Sequence, residues 1–343
     1  MPRKRRQARI PTPAWERPHG TIGRRLLGLP ARAYATIAVA ALVVIALGVI
    51  GYTVIAEEMA DRNRPGSTAV RIDDRKFSLE YFTDRVGTFV QQNGGPGVVS
   101  QQNASLAIQA VQEQLVEEQI LLRFAEEQGQ SATEDDINGE IATRMSITKD
   151  DPNFATRFQE ELKRSGLSEE EFREIASAAV LRTKVLEKFT SEVPANAESV
   201  HYRFIVLGGS DQALADDLRA QIEGGADFAA LAAEHSIDSA TKESGGDAGW
   251  APKGVLDSAL EEHLFAQEVN TVTTYPTANN IYVYQVIEKS PDRPVEEAQK
   301  TQLAEKKFTD WVTEKRDGLD IKEFDFNNVD NVNYLLDHAW ASA

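Results

Sequence analysis

The sequence predicts an α+β chain: one transmembrane helix, then a helical module, then a small antiparallel sheet packed by helices. Three observations predict it. Ala33 to Ala56 runs for 24 residues without a charge. From Ser78 to Phe189 apolar residues recur at helical spacing, and the polar punctuation is that of helix caps. Val200 to Leu207, Thr271 to Tyr275 and Ile281 to Ile287 read as strands, and the last two are too closely linked for a parallel crossover.

A bilayer core of about 30 Å needs roughly 20 helical residues, so the uncharged run is long enough to span. It also exceeds the roughly 7–15 residues of a cleavable signal's apolar core. Residues 1–32 hold nine Lys and Arg against Glu16 alone, and Glu57, Glu58 and Asp61 follow the run. By the positive-inside rule the N-terminus stays cytoplasmic and residues 57–343 lie outside, which makes the lipid bilayer the partner of 33–56. Pro2, Pro11, Pro13 and Pro18 among arginines mark 1–32 as a disordered basic tail serving as a topology signal. A buried soluble helix is the competing reading, and the basic flank disfavours it. Of 37 basic and 54 acidic residues, 28 and 53 lie beyond residue 32, a net of −25. A body so acidic repels nucleic-acid backbones, so no nucleic acid is expected as a partner. Cysteine is absent, which suits an exported protein whose folding needs no oxidant.

After a polar linker, 57–68, Ala69 to Ile72 with Asp73-Asp74 reads as a strand and turn. A helix from Ser78 to Val90 follows, with Phe77, Tyr81, Phe82, Val86, Phe89 and Val90 as its apolar stripe. Beyond a glycine-rich loop, a longer helix from Leu106 to Gln128 buries Ile108, Val111, Leu115 and Ile120 and stops at Gly129. Thr133 with Asp136 caps a helix to Met145, and Phe154 to Ser165 is another. Ser168 and Glu171 form a capping box for a helix from Glu169 to Phe189 or beyond, which Pro194 ends. Residues 69–193 are thus a helical module with one strand at its start. The second domain, 200–290, opens on the strand Val200 to Leu207. Helices follow from Gln212 to Glu223, from Phe228, and from Asp257 to Phe265, and Pro276 to Asn280 turns the last two strands. A charged helix from Val295 to Asp317 carries Trp311 as a core residue. With the acidic, Asn-rich tail it makes 295–343 a segment expected to pack on the helical module.

The most specific stretch is Phe228 to Trp250, FAALAAEHSIDSATKESGGDAGW. Phe228, Leu231 and Ala232 share a helical face, Ser236 to Ser239 leave the helix, and Gly245-Gly246-Asp247-Ala248-Gly249 turns the chain into Trp250. This order of helix, polar loop, Gly-Gly-Asp-x-Gly and aromatic resembles the core signature of the parvulin (PpiC-type) peptidyl-prolyl isomerases. The helical module resembles the SurA-like chaperone domain of membrane-anchored foldases. The resemblance implies a parvulin domain with a four-stranded antiparallel sheet, a helical chaperone module and no cofactor. The partners it implies are unfolded or newly secreted polypeptides with X-Pro bonds.

Prolyl isomerisation twists an amide against a barrier of about 18–20 kcal/mol and needs no covalent intermediate. An apolar slot for the ring and a few polar groups serve it. Carried over residue by residue, that slot is Leu256 and Leu260 after Gly254, walled by Phe265 and Trp250. Asp238 stands where parvulins have Cys or Asp, Thr277 where a hydroxyl precedes the last strand, and Gly245, Gly246 and Gly249 form the structural turn. The family's two strand histidines are replaced, one by Arg203 in Arg203-Phe204-Ile205 and one by Tyr282. Tyr282 can still donate a hydrogen bond, and Arg203 can pair with Asp238 or Asp247. The catalytic candidates are therefore Asp238, Tyr282, Arg203 and Thr277. The competing readings are ordinary core for Leu256, Leu260 and Phe265, and a helix-exit cap for Asp238.

The resemblance implies a membrane-anchored extracytoplasmic foldase, isomerase and chaperone together. The loss of both histidines leaves open a holdase that binds Pro-containing peptides without turnover, and a third reading is an assembly protein that reuses the fold. No other chemistry is signalled. His19, His201, His235, His263 and His338 lack metal-ligand spacing, so no metal site is expected. Nucleophile-elbow, P-loop, GxGxxG and EF-hand patterns are absent.

Overall fold

The computed structural model describes Ile45, Ala46, Val49, Tyr52 and residues 58–342. Those four residues apart, the predicted span 33–56 lies outside the described residues. Among the described residues no helix is long and apolar enough to cross a membrane. The chain divides into two units, Met1–Ser67 and Thr68–Ala343. In the first, residues 58–63 are helical rather than linker, and Arg62 donates to Glu58 at 2.8 Å.

In the second unit, strands Thr68–Ile72 (β1) and Arg75–Ser78 (β2) pair as a hairpin turned at Asp73, whose φ is 49°. Phe77 therefore belongs to β2 and not to a helical stripe. Arg-Lys-Phe-Ser holds one apolar residue, too few for alternation to reveal a strand. Ser78 caps Leu79–Gln92 (α1), its hydroxyl accepting from the Tyr81 amide. Ala104–Phe124 (α2) runs through a 3-10 turn to Gly129, where φ is 71°. Glu134–Arg144 (α3), Phe154–Ser165 (α4) and Glu169–Glu192 (α5) complete the module. Both expected capping boxes form. Thr133 Oγ1 accepts from the Asp136 amide at 3.2 Å, and the Asp136 carboxylate accepts from the Thr133 amide at 2.9 Å. Ser168 and Glu171 repeat this at 3.2 and 2.8 Å. Phe82, Leu115, Ile120, Ile141, Val185 and Phe189 lie at the centre of the module's core.

The sheet domain is inserted into this module. Its elements are Asn196–Gly208 (β3), Gln212–Glu223 (α6), Phe228–His235 (α7), Asp247–Pro252 (β4), Ser258–Ala266 (α8), Val272–Pro276 (β5) and Asn280–Pro294 (β6). The four strands are antiparallel in the order β4-β3-β6-β5. β4 lies where the sequence predicts only a glycine turn. Its approach requires Gly246: φ is 78°, and a Cβ there would sit 2.4 Å from the Phe204 carbonyl oxygen. β3 and β6 outrun their predicted ends until Asn196 faces Pro294.

Glu297–Asp317 (α9) returns to the module, where Phe308 and Trp311 enter its core and Trp311 meets Phe189 edge-on at 6.4 Å. Ile321–Lys322 (β7) adds to β1. A helix the sequence did not predict, Val329–Ser342 (α10), buries Leu335 and Ala339 and packs on α1.

Candidate active site

Alternation along β3 and β6 sorts their side chains between two faces. Ile205 faces Val283 and Leu207 faces Ile281, and all four bury with Leu218 of α6 and Phe228 of α7. On the other face Tyr202 opposes Val286 and Phe204 opposes Tyr284, while Tyr282 opposes Tyr275 of β5. Leu256, Leu260 and Phe265 pack half-buried on this second face. The fold thus gathers Leu256, Leu260, Phe265 and Tyr282 in one aromatic groove. Phe204 stands edge-on to Tyr282 at 6.1 Å and stacks on Tyr202 at 5.9 Å. At its rim Lys253 Nζ lies 5.6 Å over the Phe265 ring, and the His263 ring is 5.0 Å from Tyr275.

Arg203 and Trp250 are not in this groove. Arg203 lies on the helix-covered face, where its Nε and Nη2 donate to Gln285 Oε1 at 2.9 and 2.7 Å. Its guanidinium lies 4.3 Å over the Phe228 ring, and burial holds its pKa below the ordinary value. The expected hydrogen bond to Asp238 or Asp247 is not made. Asp247 Oδ1 instead pairs with His201 Nε2 and accepts from the Gly249 amide, both at 2.8 Å. The physical reason is that neighbours on a strand point to opposite faces. The residue of β3 that meets Tyr282 is Phe204. Trp250 also turns away, held between the His201 ring at 5.4 Å and the Arg293 guanidinium at 4.4 Å. Its carbonyl accepts from Gln299 Nε2 of α9 at 2.7 Å.

Two polar candidates are engaged in turns. Asp238 Oδ2 accepts from the Thr241 hydroxyl at 2.5 Å and the Thr241 amide at 3.0 Å, and these bonds, the hydroxyl's first, hold its carboxyl below the usual range. That is a turn beyond the helix and not its exit cap, which is Ser236, whose amide donates to the Ala232 carbonyl. Thr277 Oγ1 donates to the Asn280 carbonyl at 2.9 Å and accepts from its amide at 3.1 Å, closing the β5–β6 turn. Buried Ser236 docks the loop before Asp238 on the sheet, its Oγ accepting from the Val206 amide at 3.2 Å and the Asp238 amide at 3.3 Å.

Sequence reasoning missed Tyr202, Phe204, Tyr275 and Tyr284. The available signal was the alternate spacing of Tyr202 with Phe204 and of Tyr282 with Tyr284. Burial, and then neighbouring Tyr282, push the Tyr202 phenol up to about 12, and burial also raises Tyr284. Both phenols are neutral across the physiological range. The groove offers apolar rings and uncharged hydroxyls. Among the described residues no His, Asp or Glu group could hold a metal ion.

Residues 190–290 match the model of the PPIC-type PPIASE domain, and residues 31–186 that of the SurA-like N-terminal domain. The foldase protein PrsA of Caldanaerobacter subterraneus subsp. tengcongensis is 28% identical over 167 residues, 48% of this chain and 51% of its own length. The chaperone SurA of Methylobacillus flagellatus is 26% identical over 150 residues, 39% of this chain and 34% of its own length. The chain therefore spans about half, or less, of these curated relatives. The solved peptidylprolyl isomerase (PrsA) of Bacillus anthracis aligns over 66% of this chain and 94% of its own at 16% identity, with a TM-score of 0.39.

Proposed function

Since the chain carries a PpiC-type peptidyl-prolyl isomerase domain after a SurA-like N-terminal domain, we propose that it is an extracytoplasmic foldase. In this reading the groove engages X-Pro bonds of newly exported, unfolded chains while the helical module holds them. The run 33–56 anchors it in the membrane with the N-terminus cytoplasmic, as the 24 uncharged residues behind a basic head suggest. The observation that carries the reading is the half-covered aromatic face, with Leu256, Leu260 and Phe265 packed over Phe204 and Tyr282.

Twisting an X-Pro amide breaks its resonance and weakens its carbonyl dipole, so a site that withdraws water favours the twisted form over the planar one. Pro also lacks the N–H that an apolar slot would leave unsatisfied. A holdase that binds such peptides without turnover is the second reading. It is favoured by Phe204, a phenyl ring facing Tyr282 with no imidazole at either position.

A protease-coupled assay of X-Pro peptides on the full chain separates the two. Acceleration over buffer is expected; none, with retained suppression of client aggregation, leaves the holdase, and failure in both assays removes both readings. Protease added outside intact cells should degrade residues 57–343, and full protection would refute the topology.

A further inference from the structure

Tyr202 and Tyr284 are 8% and 2% exposed, so their rings are buried in the floor of the groove. Buried phenols ordinarily find a hydrogen-bond partner. Here the hydroxyls of Tyr202, Tyr275, Tyr282 and Tyr284 bond to no described residue, nor are they sealed in. The sealed orphans among the described residues are Thr83 Oγ1, Gln267 Oε1 and Trp311 Nε1. Four phenols thus lie on one face of one sheet with their oxygens unengaged, Tyr202 and Tyr282 against the ring of Phe204, Tyr284 opposite it on β6 and Tyr275 beyond Tyr282 on β5.

We propose that these four hydroxyls form an uncharged donor floor for the backbone carbonyls of an X-Pro unit, with Phe204 and Leu260 against the pyrrolidine ring. The proposal rests on the reading of the groove as an X-Pro site and names what it recognises there: main-chain acceptors, whatever the side chain before proline. The chemistry matches. A neutral phenol donates one O–H, whereas an X-Pro unit presents two carbonyl acceptors and no amide donor at proline. Tyr202 sits among apolar side chains, and this burial pushes its phenol up to about 12.

The test is binding of a dye-labelled Ala-Ala-Pro-Phe peptide to the full chain, followed by fluorescence anisotropy, beside an Ala-Ala-Ala-Phe control. Tyr202→Phe, Tyr282→Phe and Tyr284→Phe each keep the ring and delete the oxygen. Each should weaken binding roughly three- to tenfold, the range of one net hydrogen bond. Melting temperatures should stay at the wild-type value, because the hydroxyls have no protein partner to lose. A purely structural role would lower them instead. Affinity should be the same at about 50 and about 500 mM salt, since no ion pair is formed. Wild-type affinity in all three variants, or a steep salt dependence, overturns the donor floor and leaves the groove assignment standing. Equal affinity for the alanine control overturns the proline contact. No binding by the wild-type chain defeats the groove reading itself, and the floor with it.

Discussion

On the helix-covered face of the four-stranded sheet, Ile205, Leu207, Ile281 and Val283 are at most 2% exposed, and Arg203 has both Gln285 and the Phe228 ring as partners. On the opposite face of the same strands, Phe204 and Tyr282 stay half-buried beneath one short helix and its lead-in, which supply Leu256, Leu260 and Phe265. Alternation assigns side chains to both faces by the same rule, so what distinguishes them is cover. Two helices, α6 and α7, seal the first, and each buried Ile, Leu or Phe there is worth about 1.5–3 kcal/mol. The second gives up part of that gain and keeps apolar surface and hydroxyls available. One face is sealed as core, and the other is the face that the proposed reading assigns to peptide.

The sharpest way to break this division is Gly246→Ala. A Cβ at positive φ, driven into the Phe204 carbonyl, should cost on the order of 4 kcal/mol in a urea melt, and both faces should fail together. Ile205→Ala, wholly buried beneath α6 and α7, should cost about 3 kcal/mol with little change in peptide affinity of the folded fraction. Leu260→Ala should invert that pattern: about 1 kcal/mol of stability, but roughly tenfold in X-Pro peptide binding. Equal effects of both substitutions on binding would erase the distinction.

Titration sharpens the contrast further, since burial raises the phenols of Tyr202 and Tyr284 while in the helical module it raises a carboxyl. Asp84 of α1, wedged against Gly166, is pushed up to about 6 by burial and then by Glu80 and Glu171, against the opposing pull of His338. A carboxyl whose folded pKa lies above its unfolded value binds more protons when folded. Stability should therefore rise as pH falls from about 7 to about 5, by about 1 kcal/mol once solvent screening of this partly exposed group is allowed for. Asp84→Asn should abolish that slope in melts across pH. The smallest effect is expected from Arg203→Gln: less than about 1 kcal/mol and unchanged peptide turnover, because its guanidinium faces away from the groove. Loss of turnover there would return Arg203 to the site.

What was legible in the sequence was what local chemistry sets. The capping residues Thr133 and Ser168, the stop at Gly129 and the span of α6 follow from side chains contacting their own backbone or one helical face. β4 was not legible because Asp247-Ala248-Gly249 shows no alternation and its pairing with β3 is irregular at Tyr202 and Arg203. α10 was hidden by Asn328, Asn331 and Asn333, which read as loop until α1 supplies an apolar partner. In the candidate site, α8 carries Leu260 and Phe265, β6 carries Tyr282 and the loop before α8 carries Leu256, all to the same face. The assignment to Arg203 failed by a single position, and in a strand one position is the whole difference between groove and core.

The pairing of Asn196 with Pro294 has a consequence for the chain's modularity. The sheet domain leaves and rejoins the module through two neighbouring strands, so its entry and exit lie one strand spacing apart, about 5 Å. No residue between Ala195 and Leu303 belongs to the buried core of the module. The domain is a cassette plugged into a socket. A two- or three-residue splice in place of 196–294 should leave a module that folds around Phe189 and Trp311 as before, and another domain with adjacent termini should fit the same socket.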